Sequence, residues 1–174
     1  MRIAIADPPY FGCSRRYYSD HPECGIYDTI EGHEALINRL ASQYHGFAVA
    51  MNSKDLQLLL PLFPDGIQVA AWHKPDGMAS GGVTRSWEPV VYKPARKSHS
   101  RDSVMASMEK VGFMGAKPAR WTVWVLELLG AKPDDDIVDL FPGSGRVTEV
   151  IQDWRDRERE TVTIGLFATS SGDV

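Results

Sequence analysis

The stretch Asp136-Ile137-Val138-Asp139-Leu140-Phe141-Pro142-Gly143-Ser144-Gly145 decides the fold class of this chain. Its first six residues predict a strand, and the next four predict a tight turn into a helix from Val147 to Arg157. Glycines at such a turn let the backbone approach a ligand closely, and a helix start offers unpaired N–H groups. Because ligands of open α/β sheets collect at the carboxyl ends of strands, the stretch predicts a binding turn.

The acidic residue of this turn narrows the kind of ligand. Asp139 lies two residues before Phe141, and its carboxylate can bind the cationic end of an amino-acid moiety. The spacing lacks the third glycine of the dinucleotide fingerprint, which argues against NAD. A Gly-x-Gly turn by itself is equally typical of a turn that binds nothing.

The rest of the chain alternates strands with helices, which predicts one α/β domain over residues 1–174 with a largely parallel sheet. The predicted strands are Arg2 to Ala6, Gly46 to Met51, Ile67 to Trp72, Trp87 to Tyr92 and Thr161 to Phe167. The predicted helices are Ile30 to Tyr44, Lys54 to Leu60 with Ser53 as its N-cap, and Ala119 to Leu129, which ends at Gly130. The predicted loops are Pro75 to Gly82 and Pro94 to Ala116, the latter with one helical turn around Val104 to Lys110.

The composition is typical of a soluble globular protein. Of 174 residues, 43% are hydrophobic and 24% are charged. No apolar run approaches the roughly 20 residues that a membrane-spanning helix needs, and the first residues do not resemble a signal peptide. We therefore expect a cytoplasmic protein with no membrane contact, in which Cys13 and Cys24 are free thiols.

The charge is unevenly distributed along the chain. The net charge is -4, yet Lys74 to Arg120 holds nine Lys/Arg against four Asp/Glu, a balance of +5. A basic segment on an acidic body is typical of a protein that binds a polyanion with one face. A solvated loop region explains the same composition equally well.

A second motif, Asp7-Pro8-Pro9-Tyr10, follows the first predicted strand. An exocyclic amino group of a base is a poor nucleophile, because its lone pair is delocalised into the ring. A carboxylate and a backbone carbonyl held by consecutive prolines can accept its two N–H protons and free the lone pair for attack on a methylsulfonium. Tyr10 offers a flat face on which an extruded base can stack. An ordinary turn is the alternative, since Asp-Pro is common in turns.

Taken together, the two motifs resemble those of the amino-methyltransferases that act on N6 of adenine or N4 of cytosine with S-adenosylmethionine (SAM). Their order, with the catalytic motif first, is similar to that of the circularly permuted β-class. Trp72-His73-Lys74-Pro75 and Trp87-Glu88-Pro89-Val90-Val91-Tyr92 resemble strands of that class, and Lys117-Pro118 resembles its segment before the cofactor turn. The resemblance implies a Rossmann-like SAM-dependent methyltransferase sheet with flanking helices in circularly permuted order.

The resemblance also implies roles for individual residues. Catalysis would fall to Asp7, Pro8, Pro9 and Tyr10. SAM would be held by Asp7, Lys117, Pro118, Asp139, Phe141, Gly143, Ser144 and Gly145. From their charge and aromatic character, we expect nucleic-acid contacts from Arg15, Arg16, Tyr17, Lys74, Arg85, Arg96, Lys97 and Arg101. No metal is expected, because methyl transfer from a sulfonium needs no Lewis acid.

The expected substrate is N6 of adenine in DNA, because catalytic loops that begin with Asp favour adenine in this family. N4 of cytosine and RNA are alternatives within the same fold. A non-catalytic methyltransferase-like subunit is a further alternative, since the predicted strand Thr161 to Phe167 ends without the carboxylate that normally holds the ribose, and the sheet is short. The small size is typical of loose sequence preference or of a homodimer.

Overall fold

Six strands form one mixed sheet in the computed structural model, which describes residues 1–14, 24–80, 83–108 and 116–169. The strands are β1 Arg2–Ala6, β2 Gly46–Ala50, β3 Gln68–Ser80, β4 Val83–Lys93, β5 Ser103–Met105 and β6 Asp136–Asp139. The helices are α1 Ile30–Gln43, α2 Leu56–Leu59, α3 Ala119–Leu129 and α4 Arg146–Thr169, with 3-10 turns at Ile26–Asp28, Ser53–Asp55 and Leu60–Leu62.

The strand order is β5-β3-β4-β2-β1-β6. Strand β1 is parallel to β2 and β6, β3 is parallel to β5, and β4 is antiparallel to both of its neighbours. Consequently the carboxyl ends of β1, β2, β3 and β6 meet the amino end of β4 at one edge of the sheet. We call this the carboxyl edge, because it is where ligands of open α/β sheets bind.

Strand alternation builds a core on each face of the sheet. Ile3 and Ile5 pack with α3 and α4 on one face, whereas Ala4 and Ala6 pack with α1 on the other. Helices therefore cover both faces, as expected for an α/β fold. Helix α3 ends as predicted at Gly130, whose φ of 62° lies in the left-handed region that glycine tolerates.

Two predictions about the middle of the chain are wrong. The predicted loop Pro75 to Gly82 belongs largely to the hairpin of β3 and β4, whose pairing extends to Ser80 and Val83. A register shift between His73 and Met78 accommodates the intervening residues, Pro75 among them, which explains how a segment rich in turn residues joins a strand. The predicted helical turn near Val104 is instead strand β5, because Trp72 and Val104 pair across the sheet.

The predicted last strand, Thr161 to Phe167, is also wrong, because α4 continues through it to Thr169. The charged residues before Thr161 contain no proline or glycine that would end the helix. Helix propagation is cooperative and outweighs the weak preference of Thr, Val and Ile for strands. The sequence argument from a missing ribose carboxylate therefore loses the strand on which it rested.

The N-cap predicted near residue 53 is also wrong. Asn52, not Ser53, caps the turn at Ser53–Asp55, since its side chain accepts a hydrogen bond from the Lys54 N–H. Within the described ranges, no helix combines the length and the apolar composition that crossing a membrane requires.

Candidate active site

Three charged side chains share one face of the sheet at its carboxyl edge. Asp7 continues the alternation of Ile3 and Ile5, so it lies on the face that α3 covers. The same alternation applies to Lys74 after Trp72 and to Glu88 before Val90, because Trp72 and Val90 belong to the same core as Ile5. The fold thus brings together residues that lie far apart in the sequence.

Lys117, just before α3, is the cation at the centre of this site. Its side chain is 5% exposed, and its Nζ lies 2.8 Å from Oδ2 of Asp7. The same Nζ donates to the hydroxyl of Tyr10 at 3.1 Å. It also lies 5.4, 5.6 and 5.7 Å from the ring centres of Tyr10, Trp72 and Trp121. The faces of these rings and the carboxylates of Asp7 and Glu88 stabilise the buried ammonium.

Glu88 joins this site from β4. Its Oε1 accepts from the Nζ of Lys74 at 2.5 Å, and its Oε2 accepts from the Tyr10 hydroxyl at 2.8 Å. Oε2 also lies 3.7 Å from the Nζ of Lys117. Two carboxylates and two ammonium groups therefore form one compact, formally neutral cluster around Tyr10, which we call the charge cluster (Asp7, Lys74, Glu88, Lys117).

Burial and neighbouring charges shift the pKa values in this cluster. Burial raises the pKa of Asp7, and Lys117 offsets part of that rise. Burial also acts to raise the pKa of Glu88, but Lys117 and Lys74 outweigh it, so that the pKa lies below its usual value. Burial and the Glu88 carboxylate raise the pKa of Tyr10 well above its usual value, so its hydroxyl stays protonated and donates.

The predicted cofactor turn lies next to Asp7, because Asp139 is the partner of Ile5 across the β1–β6 pair. Gly143 and Gly145 have φ values of 45° and 79°, which only glycine adopts without strain. Among the described residues, no atom lies within 4 Å of a Cβ built at Gly145, so the space beside this glycine is open to them. The N–H of Gly145 donates to the carbonyl of Pro142 at 2.6 Å and closes the turn.

Asp139 stabilises the turn by accepting two hydrogen bonds. Its Oδ1 accepts from the Phe141 N–H at 3.2 Å, and its Oδ2 accepts from the Thr148 hydroxyl at 2.9 Å. Burial raises the pKa of Asp139. Ser144 accepts from the Arg146 N–H at 3.4 Å at the start of α4. Open space beside Gly145, left-handed glycines and the half-buried carboxylate of Asp139 fit the amino-acid end of SAM.

A row of aromatic rings connects the catalytic loop to this turn. Phe11 stacks on His33 of α1 at 5.1 Å, and Tyr27 contacts His33 at 5.8 Å and Phe141 at 5.1 Å. His33 is 3% exposed, and its Nε2 lies 2.9 Å from the carbonyl of Tyr27. The two motifs therefore share a packed support in addition to neighbouring strands.

We expect His33 to make stability fall in mild acid. Burial lowers its pKa, so the unfolded chain takes up a proton near pH 6.5 before the folded chain does. The stability contribution of neutral His33 is complete above that pH and is lost as the pH falls toward the folded-state pKa. Urea unfolding between pH 7.5 and 5.5 should show this loss in the native protein and less of it in His33→Phe. If the free energy of unfolding falls equally with pH in both proteins, His33 is not the cause of the loss.

The structure separates the residues predicted to contact nucleic acid. Arg15, Arg16 and Tyr17 lie outside the described residues. Lys74 is 4% exposed and paired with Glu88, so it belongs to the charge cluster rather than to an open surface. Arg85 lies near the carboxyl edge, where its Nη1 donates to Oδ1 of Asn52 at 3.3 Å.

The other three predicted contacts lie away from this edge. Arg96 donates to both oxygens of Asp135, at 2.6 and 2.7 Å, just before the amino end of β6. Asp135 is buried, and the hydrogen bond from Arg96 holds its pKa well below the usual range. Lys97, the next residue, and Arg101 are exposed. The structure does not bring Arg96 to the site, because its guanidinium is committed to this ion pair.

Sequence reasoning missed Glu88 and Trp72 as site residues. A usable signal existed, since a glutamate between Trp87 and Pro89 interrupts an otherwise apolar strand. Side chains two residues apart in a strand lie on the same face of the sheet. Asp7, Lys74 and Glu88 are each two residues from an apolar residue of one core, namely Ile5, Trp72 and Val90. In the described part of the chain, no group of three or more His, Cys, Asp or Glu residues is arranged to hold a metal ion.

Comparison with solved structures identifies the fold. The crystal structure of the M1.HpyAVI–SAM complex superposes with a TM-score of 0.58 at 14% identity, covering 88% of this chain and 78% of that one. A second structure of M1.HpyAVI gives a TM-score of 0.54 at 12% identity, covering 88% and 76% of the two chains. The chain has the α/β fold of a SAM-dependent methyltransferase. No protein-family model matches the sequence. No curated protein matches it either.

Proposed function

We propose that this protein transfers a methyl group from SAM to an exocyclic amino group of a DNA base, with N6 of adenine as the target. The observation that carries the proposal is the adjacency of two motifs. Asp7 follows β1 and Asp139 ends β6, and these parallel strands pair so that Ile5 lies opposite Asp139. A carboxylate suited to an amino group therefore lies beside a turn suited to SAM.

The residues of the site have distinct tasks in this proposal. SAM, when bound at the glycine turn, supplies a methyl group on a sulfonium that leaves as a neutral thioether. Lys117 engages Oδ2 of Asp7, and we assign the remaining oxygen to an N–H of the substrate amino group. Accepting that N–H concentrates the lone pair on nitrogen. Once the N–C bond has formed, the nitrogen passes one proton to the Asp7 carboxylate, which releases it to solvent. Tyr10 supplies a ring for base stacking.

Further observations support a base as the substrate. The motif order, catalytic loop first and glycine turn last, resembles that of the permuted β-class. The likeness to the M1.HpyAVI–SAM complex supports the coarser statement, a SAM-dependent methyltransferase fold. Strands β3 and β4 extend past Trp72 and Glu88, beyond the point where Asp7 lies, and carry Arg85. A non-catalytic subunit stays the alternative, because the segment Thr161 to Phe167 is helical and the sheet ends at β6.

Methyl transfer from labelled SAM to duplex and single-stranded DNA tests the proposal. Product nucleosides separated by mass spectrometry should contain N6-methyladenine. N4-methylcytosine would correct the base and keep the mechanism, and label in RNA alone would correct the polymer. SAM binding without transfer to any nucleic acid would favour the non-catalytic subunit.

Arg85 should contribute to DNA affinity, whereas Lys97 should not. Removing one cation that touches a phosphate flattens the dependence of log affinity on log salt by about one unit. We expect this change in Arg85→Gln, because Arg85 lies near the carboxyl edge beside Asn52. Lys97→Gln is a matched control that also removes one positive charge, beside the Arg96–Asp135 pair. Equal effects of the two variants would contradict binding across the carboxyl edge.

A further inference from the structure

Glu88 is a carboxylate in a place where the fold alone does not require one. Its side chain is 16% exposed, within a strand whose next four residues are buried. Taking a carboxylate and its lysine partners out of water costs free energy that apolar side chains of similar volume would not cost. The group is nevertheless fully engaged, with contacts to Lys74, Tyr10 and Lys117. Because this carboxylate costs stability, we expect it to serve the function of the protein.

We infer that Glu88 is a positioning residue for methyl transfer, which orients the ring of Tyr10 directly and the carboxylate of Asp7 through Lys117. This inference rests on the proposed function. Glu88 itself is not assigned a contact with the substrate or with SAM. It acts on the two residues that are.

The hydrogen bonds of Tyr10 explain how the ring is oriented. Its hydroxyl donates to Oε2 of Glu88 at 2.8 Å and accepts from Lys117 at 3.1 Å. One donated and one accepted bond fix both the position of the oxygen and the direction of its proton. Because Tyr10 lies three residues after Asp7, fixing its ring on β4 also fixes the loop between them. An error of about 1 Å at a reacting group can cost a hundredfold in rate.

The charges around Asp7 explain the second part of the inference. Asp7 faces Lys117 from the segment before α3, Glu88 from β4, Asp139 from β6 and Tyr10 from its own loop. Lys117 lowers the pKa of Asp7, while the charges of Glu88 and Asp139 raise it. Glu88 also shares Lys117 with Asp7, at 3.7 and 2.8 Å. Removing the Glu88 charge should therefore lower the pKa of Asp7 and let Lys117 move toward Asp7.

Kinetics of Glu88→Gln give the first test. We expect kcat to fall about tenfold or more, the effect of removing charge-assisted hydrogen bonds, while KM for SAM changes far less. We also expect the acidic limb of the rate profile to move to lower pH, since Asp7 must be ionised to accept an N–H. A merely structural role would lower the yield of folded protein and leave kcat of the folded fraction unchanged. Glu34→Gln, on the exposed side of α1, is the control.

A charge-balanced pair of substitutions guards against misfolding. Glu88→Gln alone leaves Lys74 buried without its anionic partner, whereas Glu88→Gln with Lys74→Met restores a neutral cluster. The pair should fold and still turn over slowly, because the amide that replaces the carboxylate would offer Tyr10 no charged acceptor. Wild-type kcat and an unchanged pH profile in the paired variant would overturn the inference.

A measurement without substrate separates this inference from the proposed function. Carbon-13 labelled aspartate, with the Asp7 signal identified from Asp7→Asn, reports the Asp7 titration directly by NMR. A lower Asp7 pKa in Glu88→Gln is expected whether or not the protein methylates DNA. Unchanged Asp7 titration in a protein that methylates DNA would remove the role of Glu88 and leave the activity. A lower Asp7 pKa in Glu88→Gln, in a protein that transfers no methyl group, would keep the effect of Glu88 on Asp7 and contradict the proposed activity.

Discussion

Asp7→Asn should lower the rate of methyl transfer by on the order of a hundredfold or more, by analogy with the removal of a single oxyanion-hole donor. The Asp7 carboxylate has to accept a hydrogen bond from the amino group as its lone pair attacks. An amide of the same shape can present N–H instead, which opposes the polarity that the reaction needs. Because this contact belongs to the transition state, affinity for SAM should change far less.

The variant should fold well enough for this comparison. Burial raises the pKa of Asp7, so a neutral side chain there costs less than at an exposed site. Lys117 keeps a contact to Tyr10 and the proximity of Glu88. Asp65→Asn, at an exposed position before β3, controls for the removal of one negative charge. Transfer of labelled methyl to DNA is the measurement. Full activity of Asp7→Asn on any base would rule out the mechanism.

Gly143→Val should abolish measurable SAM binding. The residue has a φ of 45°, which a β-branched side chain adopts only at a cost of roughly 1–3 kcal/mol. To relieve that strain, the turn between β6 and α4 would have to change its backbone. The N–H groups at the start of α4 would then no longer face the ligand, and the new side chain would occupy space that SAM needs.

A second glycine separates strain from binding. Gly66 also has a left-handed φ, 82°, and no atom of the part of the chain that the structure describes lies within 4 Å of a Cβ built there. It precedes β3 at the opposite end from the carboxyl edge. Gly66→Val should lose similar stability and keep its affinity for SAM in calorimetric titration. If Gly143→Val binds SAM like the native protein, the turn is not the cofactor site.

Several elements could be predicted because their signals are local. Strand β1 and helix α3 have the predicted bounds, and α1 differs by one residue at its end. An apolar run stopped by Asp-Pro-Pro, and a helix between Pro118 and Gly130, need no information from elsewhere in the chain. The glycine turn was predicted for the same reason, since its left-handed φ values are a property of four consecutive residues.

The failures have the opposite cause. The hairpin of β3 and β4 forms because each strand satisfies the backbone groups of the other, although its sequence is typical of a loop. The segment from Thr161 extends a helix that began at Arg146, although its residues favour a strand. In both segments the structure depends on a strand that is close in space or on a helix that has already formed. A short stretch of sequence shows neither of these.

By itself, the sequence determined that Asp7-Pro8-Pro9-Tyr10 and the Asp139 turn each end a strand of an α/β domain, because both signals are contained in a few residues. Only the tertiary structure decided which side chains surround them. Tyr10 meets Glu88 across 78 residues and Lys117 across 107, and Arg96 turns from a candidate phosphate contact into the partner of Asp135. Such contacts depend on strand order and register, and a shift of one residue in register would turn Glu88 to the opposite face of the sheet.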